Sequence, residues 1–111
     1  MPDYYRTTRA ARPKRGEWAE KFWEIRPSGA ITRTVETDNR GLSRALSLQI
    51  MTRKSGQFVT YAHKADDPCL LQNHYASSAE WKDAMKSQGF HVQPTTKSTF
   101  NRRFMSANPD L

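Results

Sequence analysis

The chain has 111 residues, a length typical of one domain, and a net charge of +7. Its single cysteine, Cys69, excludes an internal disulfide, and its apolar runs are too short for a transmembrane helix. The first residues lack the apolar segment of a secretory signal, so we expect a cytoplasmic or nucleoid-associated protein. The surplus of positive charge predicts an acidic partner, of which nucleic acid is the commonest.

Residues 1–16 are strongly basic, with five cations and a single acid. Pro13 argues against a helix that continues through this segment, which is therefore predicted to be a flexible arm. Such arms lie along a phosphate backbone or enter a minor groove, and the planar fork of arginine suits bidentate contact with phosphate. The arm residues predicted to contact nucleic acid are Arg6, Arg9, Arg12, Lys14 and Arg15.

Residues 17–26 and 30–37 are predicted to form a β-hairpin. Polar and apolar side chains alternate in both segments, and the Pro-Ser-Gly sequence at residues 27–29 is typical of a turn. The residues predicted to share a face are Trp23 and Ile25 in the first strand, and Ile31, Arg33 and Val35 in the second.

The opposite face of the hairpin is predicted to be open and to take part in binding. Phe22 lies on that face and is close in sequence to several cations. An exposed ring beside basic side chains is able to stack a nucleic-acid base, an interaction of about 1–3 kcal/mol per base. The hairpin residues of the predicted interface are Lys21, Phe22, Arg26 and Arg33.

A helix is predicted over residues 39–54, because apolar residues recur there at helical spacing after a capping residue, Asp38 or Asn39. Ser77 and Glu80 form a capping-box pattern that predicts the start of a second helix. The remaining predicted elements are a strand over residues 57–62, that second helix over residues 77–88 and a strand over residues 90–93.

The predicted order is ββαβαβ, which indicates a small two-layer α+β domain. Its antiparallel sheet is expected to carry both helices on one face, with residues 17–94 as the core domain. Residues 95–111 are predicted to form a basic and aromatic tail, in which Arg102 and Arg103 add phosphate contacts. An exposed strand edge is compatible with a homodimer.

Candidate metal ligands lie together in residues 63–76. They are His63, Asp66, Asp67, Cys69 and His74. Their spacing lacks the paired pattern of a zinc site, so we expect a polar loop, with no metal and no other cofactor. The sequence also shows no converging set of catalytic groups, so no catalytic residues are predicted and an enzyme is not expected.

These observations predict a non-enzymatic nucleic-acid-binding accessory protein, acting on DNA or RNA, with no membrane partner. The alternative is a small adaptor or inhibitor that docks on an acidic protein surface, with Trp18, Trp23 and Tyr61 as its anchors. A third, minor interpretation is a metal-dependent nuclease. Its carboxylates would come from Glu36, Asp38, Asp66 and Asp67.

Overall fold

The computed structural model describes residues 1–27, 29–52, 58–62 and 77–107, and for residues 48–52 and 58–62 it describes the backbone alone. In chain order the elements are β1 (Asp3–Arg9), β2 (Trp18–Ile25), β3 (Ile31–Asp38), β4 (Ser43–Thr52), β5 (Phe58–Ala62), α1 (Ser78–Ser87), β6 (Phe90–Pro94) and α2 (Lys97–Ser106). The strands form one sheet in the order β5-β4-β3-β2-β1-β6, and every neighbouring pair is antiparallel.

The predicted α+β class and several predicted elements are confirmed. The predicted hairpin is β2–β3, closed by a hydrogen bond of 2.8 Å from the Gly29 N–H to the Arg26 carbonyl. Gly29 has a φ of 87°, a conformation that glycine adopts without strain. The second predicted helix is α1, and its capping residue Ser77 accepts a hydrogen bond from the Glu80 N–H at 3.2 Å. The two short predicted strands are β5 and β6.

The predicted helix over residues 39–54 is wrong, because Ser43–Thr52 forms β4. Asp38 does not cap a helix. Its carboxylate instead accepts two backbone N–H groups of the β3–β4 turn, at 2.9 and 3.0 Å. Ala45 and Leu46 pack on opposite faces of the sheet, as successive strand residues must. The pattern of apolar residues in this segment fits either a helix or a strand, and pairing with β3 decides in favour of the strand.

The predicted flexible arm is wrong for Asp3–Arg9, which forms β1 between β2 and β6. Tyr4 and Thr7 are buried in this strand, with exposed fractions of 8% and 0%. The Thr7 hydroxyl accepts a hydrogen bond of 2.8 Å from the indole N–H of Trp23. Aromatic and β-branched residues favour a strand here, and the arginines between them do not prevent it. Residues 10–16 connect β1 to β2 and carry the remaining cations of the predicted arm.

The predicted tail forms a second helix, α2, over Lys97–Ser106. Thr96 caps it by accepting a hydrogen bond from the Thr99 N–H at 3.1 Å. Phe100 is fully buried, and Phe104 packs one helical turn later on the same side. This spacing of four residues is the pattern that indicates the helix. Neither helix of the described ranges is long and apolar enough to cross a membrane.

The two helices lie on opposite faces of the sheet, so the predicted two-layer arrangement with both helices on one face is wrong. On one face, Trp81 of α1 packs against Trp23 and Ile25. On the other face, Phe100 of α2 packs against Phe22 and its neighbours. Adjacent residues of β2 point to opposite faces, so this strand supplies both apolar clusters. The architecture is therefore a sheet between two helices.

A β-bulge in β3 distributes its apolar residues between these two clusters. Ile31 and Arg33 pair with successive residues of β2, so Thr32 is an inserted residue. Ile31 consequently packs on the α1 side and Val35 on the α2 side. The prediction that these two side chains share a face is wrong, because one inserted residue reverses the alternation.

Candidate nucleic-acid interface

Arg33, predicted to contact nucleic acid, is part of the packed structure. Its Nε and Nη2 atoms donate to the two carboxylate oxygens of Glu24 at 2.9 and 2.6 Å. This pairing, together with hydrogen bonds from the Thr32 and Tyr4 hydroxyls, lowers the pKa of Glu24 to about 2. Arg33 also donates to the Asn101 side chain at 3.0 Å. Its guanidinium therefore joins β2, β3 and α2.

Lys21 is also enclosed within the fold. Its side chain is 9% exposed, and its Nζ lies 3.5 Å from a Glu36 carboxylate oxygen and 4.2 Å from the centre of the Trp23 ring. Burial lowers the pKa of Lys21, although the nearby carboxylate opposes this shift. A phosphate could reach this ammonium only by displacing the side chains that cover it.

Three further cations of the predicted interface have partners within the protein but keep part of their surface open. Arg6 and Arg103 share the carboxylate of Glu20, at 2.6 and 2.5 Å. Arg9 donates to the Trp18 carbonyl at 2.5 Å and stacks over the Trp18 ring at 4.3 Å. The Arg6 and Arg103 side chains are 37% and 43% exposed, so they contribute to the surface potential beside a neutralising acid.

The aromatic face predicted to stack bases is covered by α2. Phe22 is 5% exposed and lies under Arg103, whose guanidinium is 5.1 Å from the centre of the ring. Tyr4 and Phe100 are buried, while Tyr5 and Phe104 pack against the two core clusters. The side chains of Phe58 and of Tyr61, the latter a predicted anchor of the adaptor alternative, lie outside the described set.

The basic loop, defined as residues 10–16, carries three cations of the predicted interface. Arg12, Lys14 and Arg15 are all exposed. In the ranges that the structure describes, no ion pair is formed by any of these three side chains. This loop thus keeps three cations of the predicted interface next to one another and open to solvent.

Glu17 closes a turn at the end of the basic loop. Its carboxylate accepts the Lys14 N–H at 2.8 Å, and its own N–H donates to the Lys14 carbonyl at 3.0 Å. Gly16 has a φ of 86° at the third position of this turn, where a type II turn requires a positive φ. The second Glu17 oxygen lies 3.6 Å from the Arg9 guanidinium. Glu17 is therefore paired with a strand residue, Arg9, and the cations of the basic loop remain exposed.

The β3–β4 turn lies across a cleft from the basic loop. Arg15 and Trp18 line one side of this cleft and Arg40 and Leu42 the other, around a cavity of about 460 Å³. The Arg40 side chain is 77% exposed, with Asp38 at a distance of 3.8 Å. Backbone hydrogen bonds from the turn lower the pKa of Asp38, which keeps this carboxylate ionised. The cleft is polar and carries both signs of charge.

A further cation lies on the other side of the basic loop. The Ala10 N–H donates to the Gly89 carbonyl at 3.3 Å, which places the start of the loop beside the end of α1. Lys86 is exposed in the last turn of that helix. Lys86 was not singled out from the sequence, because it becomes a neighbour of the loop only through the folding of the sheet. The remaining predicted contacts, Arg26 and Arg102, are exposed but lie outside this group.

The other candidate sites receive no geometric support from the described residues. The cluster His63, Asp66, Asp67, Cys69 and His74 lies outside them, and within them no group of three potential ligands is placed to hold a metal. Trp23 is only 6% exposed, so it is not accessible as an interface anchor. The chain matches no family model, no curated protein and no solved structure.

Proposed function

We propose that this protein binds nucleic acid without catalysing a reaction, and that the basic loop is its principal contact. The observation that carries the proposal is the exposure of Arg12, Lys14 and Arg15 on a loop that contains no acid, while the adjoining Glu17 is directed to Arg9 and to the loop backbone. A cation already bound to a carboxylate must lose that partner before it can bind phosphate. Among the described residues no carboxylate pairs with the loop cations, so this cost does not arise there.

The hydrogen-bonded turn at residues 14–17 favours binding for a second reason. Ordering a mobile chain on association opposes binding, and a loop already closed by hydrogen bonds loses less freedom. Lys14 and Arg15 belong to the closed turn, so their backbone is positioned before the partner arrives. Each phosphate that these cations neutralise releases counterions, which supplies the driving force. We place this activity in the cytoplasm or on the nucleoid.

The proposal is tested by fluorescence anisotropy with generic labelled DNA and RNA at two salt concentrations. Neutralisation of three phosphates on a duplex reduces the affinity by about 40-fold when salt rises from about 50 to about 200 mM. We therefore expect a loss of at least this size. No binding at the lower salt concentration, or an affinity that does not respond to salt, would refute nucleic-acid binding.

A second candidate function is docking on an acidic protein surface, and the cleft beside the basic loop favours it. The cleft combines Trp18, Arg40 and Leu42, and Leu42 is 62% exposed. Aromatic, arginine and apolar side chains are typical of protein interfaces. A pull-down from nuclease-treated lysate compares the unmodified protein with Leu42→Glu. A partner that survives digestion and is lost with this variant favours the adaptor; disappearance of every partner on digestion favours nucleic acid.

A further inference from the structure

We infer that the nucleic acid is double-stranded and is bound through its phosphate backbone, independently of sequence. This inference rests on the proposed function and specifies its partner. It follows from two observations: the aromatic rings whose side chains the structure describes are packed against partners within the protein, and three exposed cations lie together on one short loop.

The packing of the aromatic rings is the first observation. Proteins that bind single strands without sequence preference usually stack successive bases on exposed rings. Here the Tyr4 ring lies 5.3 Å from that of Phe100, and the Tyr5 ring lies 5.1 Å from that of Trp81. Trp18, the aromatic residue that follows the basic loop, is stacked on Phe90 at 5.1 Å. Arg9 lies 4.3 Å from the centre of the Trp18 ring. A base would have to displace one of these partners.

The charge density of the partner is the second part of the argument. When only cations make the contact, the affinity for a polyanion rises as the charges of the polyanion become more closely spaced. A duplex carries one negative charge per about 1.7 Å of its axis, counting both strands, and it releases more counterions per phosphate than a single strand does. Three cations within residues 12–15 therefore gain more from a duplex than from either separated strand.

The shape of the loop is the reason why we expect no preference for a particular base sequence. The turn that Glu17 closes presents Lys14 and Arg15 beyond the ends of β1 and β2, and residues 10–17, all of them described, contain no helix or strand that could enter a groove. Reading base edges in the major groove requires an inserted element of that kind. Contacts to phosphate fix the position of a protein on a duplex but carry no direct sequence information.

The experiment measures salt-dependent binding of the full chain to one DNA duplex, to its two separated strands and to a duplex of scrambled sequence. We expect the duplex to bind at least tenfold more tightly than either strand, and the scrambled duplex to bind equally well. Replacement of all three loop cations, as Arg12→Ala, Lys14→Ala and Arg15→Ala together, is expected to reduce the slope of log K against log salt by about 2.7.

The matched control removes the same net charge elsewhere, as Arg26→Ala, Lys97→Ala and Arg102→Ala together. All three side chains are exposed, and none belongs to the basic loop, which the proposal makes the principal contact in place of the wider predicted set that included Arg26 and Arg102. We expect this control to retain most of the salt slope. Single loop variants, each expected to reduce the slope by about 0.9, provide the same comparison if the triple variant folds poorly.

Each outcome has a separate meaning. Tighter binding to a single strand, or a tenfold difference between the two duplexes, overturns the inference and leaves nucleic-acid binding standing. Equal losses in the loop variant and the control variant overturn the loop as the contact. Absence of binding to every probe overturns the proposed function itself.

Discussion

Arg33 of β3 and Arg15 of the basic loop carry the same guanidinium in opposite surroundings. Arg33 is held by the Glu24 carboxylate and the Asn101 amide, and its guanidinium lies about 5 Å from two aromatic rings. Arg15 is exposed at the rim of a cleft, next to two other exposed cations. The first contributes to the folded structure, whereas the second is available to a partner.

This difference shows why the number of basic residues overstates the number of cations that are available to a partner. A positive charge paired with an adjacent carboxylate contributes little field at a distance, because the two fields cancel. Lys21, Arg33, Arg6 and Arg103 all lie beside such carboxylates. We therefore expect the attraction for a polyanion to come from cations without such a partner, those of the basic loop among them. The predictions below test this division between structural and available charges.

The largest expected effect is the loss of stability in Glu24→Gln. This change removes the charge that Arg33 neutralises and weakens the four hydrogen bonds that the carboxylate accepts. Breaking a buried ion pair from one side is strongly destabilising, and with Arg33 partly exposed we expect a loss of about 2–3 kcal/mol. Urea unfolding monitored by tryptophan fluorescence measures it. Asp83→Asn, at an exposed helix position, is the control and should change stability by less than about 0.5 kcal/mol.

The same carboxylate predicts a pH dependence. The pKa of Glu24 is about 2 in the folded protein, against an ordinary value of 4.5. The folded state therefore binds fewer protons than the unfolded state between these values, and stability falls as the pH falls through this window. We expect the stability difference between the unmodified protein and Glu24→Gln to be complete above pH 4.5 and to shrink toward pH 2. A constant difference over this range would contradict the pairing with Arg33.

A smaller effect is expected from Gly16→Ala. The φ of 86° at Gly16 strains any residue with a Cβ, although no atom lies within 4 Å of the added carbon. The cost is about 1 kcal/mol, and the turn that presents Lys14 and Arg15 should shift. We therefore expect a lower melting temperature together with weaker duplex binding. Gly16→Asn should lose less of both, because asparagine tolerates a positive φ better than alanine. Equal losses for the two substitutions would argue against backbone strain as the cause.

The smallest expected effect on stability comes from the triple alanine variant of the basic loop. Arg12, Lys14 and Arg15 form no ion pairs with described residues, so their removal should change the free energy of unfolding by no more than about 0.5 kcal/mol. Thermal unfolding in the absence of nucleic acid measures this change. A loss comparable to that of Glu24→Gln would show that these cations are structural, and the contrast with the sheet cations would disappear.

The sequence predicted the part of the candidate site that depends on local composition. Three cations in four residues around Pro13 remain exposed in the folded protein. The other predicted contacts depended on partners far away in the chain. Arg103 reaches Glu20 across 83 residues, and Arg33 reaches Asn101 across 68 residues. No local pattern indicates such pairings, and they determine which cations are available.

The sequence by itself determined the β2–β3 hairpin, the capped helix α1 and the surplus of positive charge, because turn residues, caps and charges act within a few residues. Only the tertiary structure decided that β1 and β4 are strands and that the two helices lie on opposite faces. Strand pairing and helix docking depend on burial against distant segments. That burial overrides the helical spacing of Ala45 and Leu46 and orders the basic segment Asp3–Arg9.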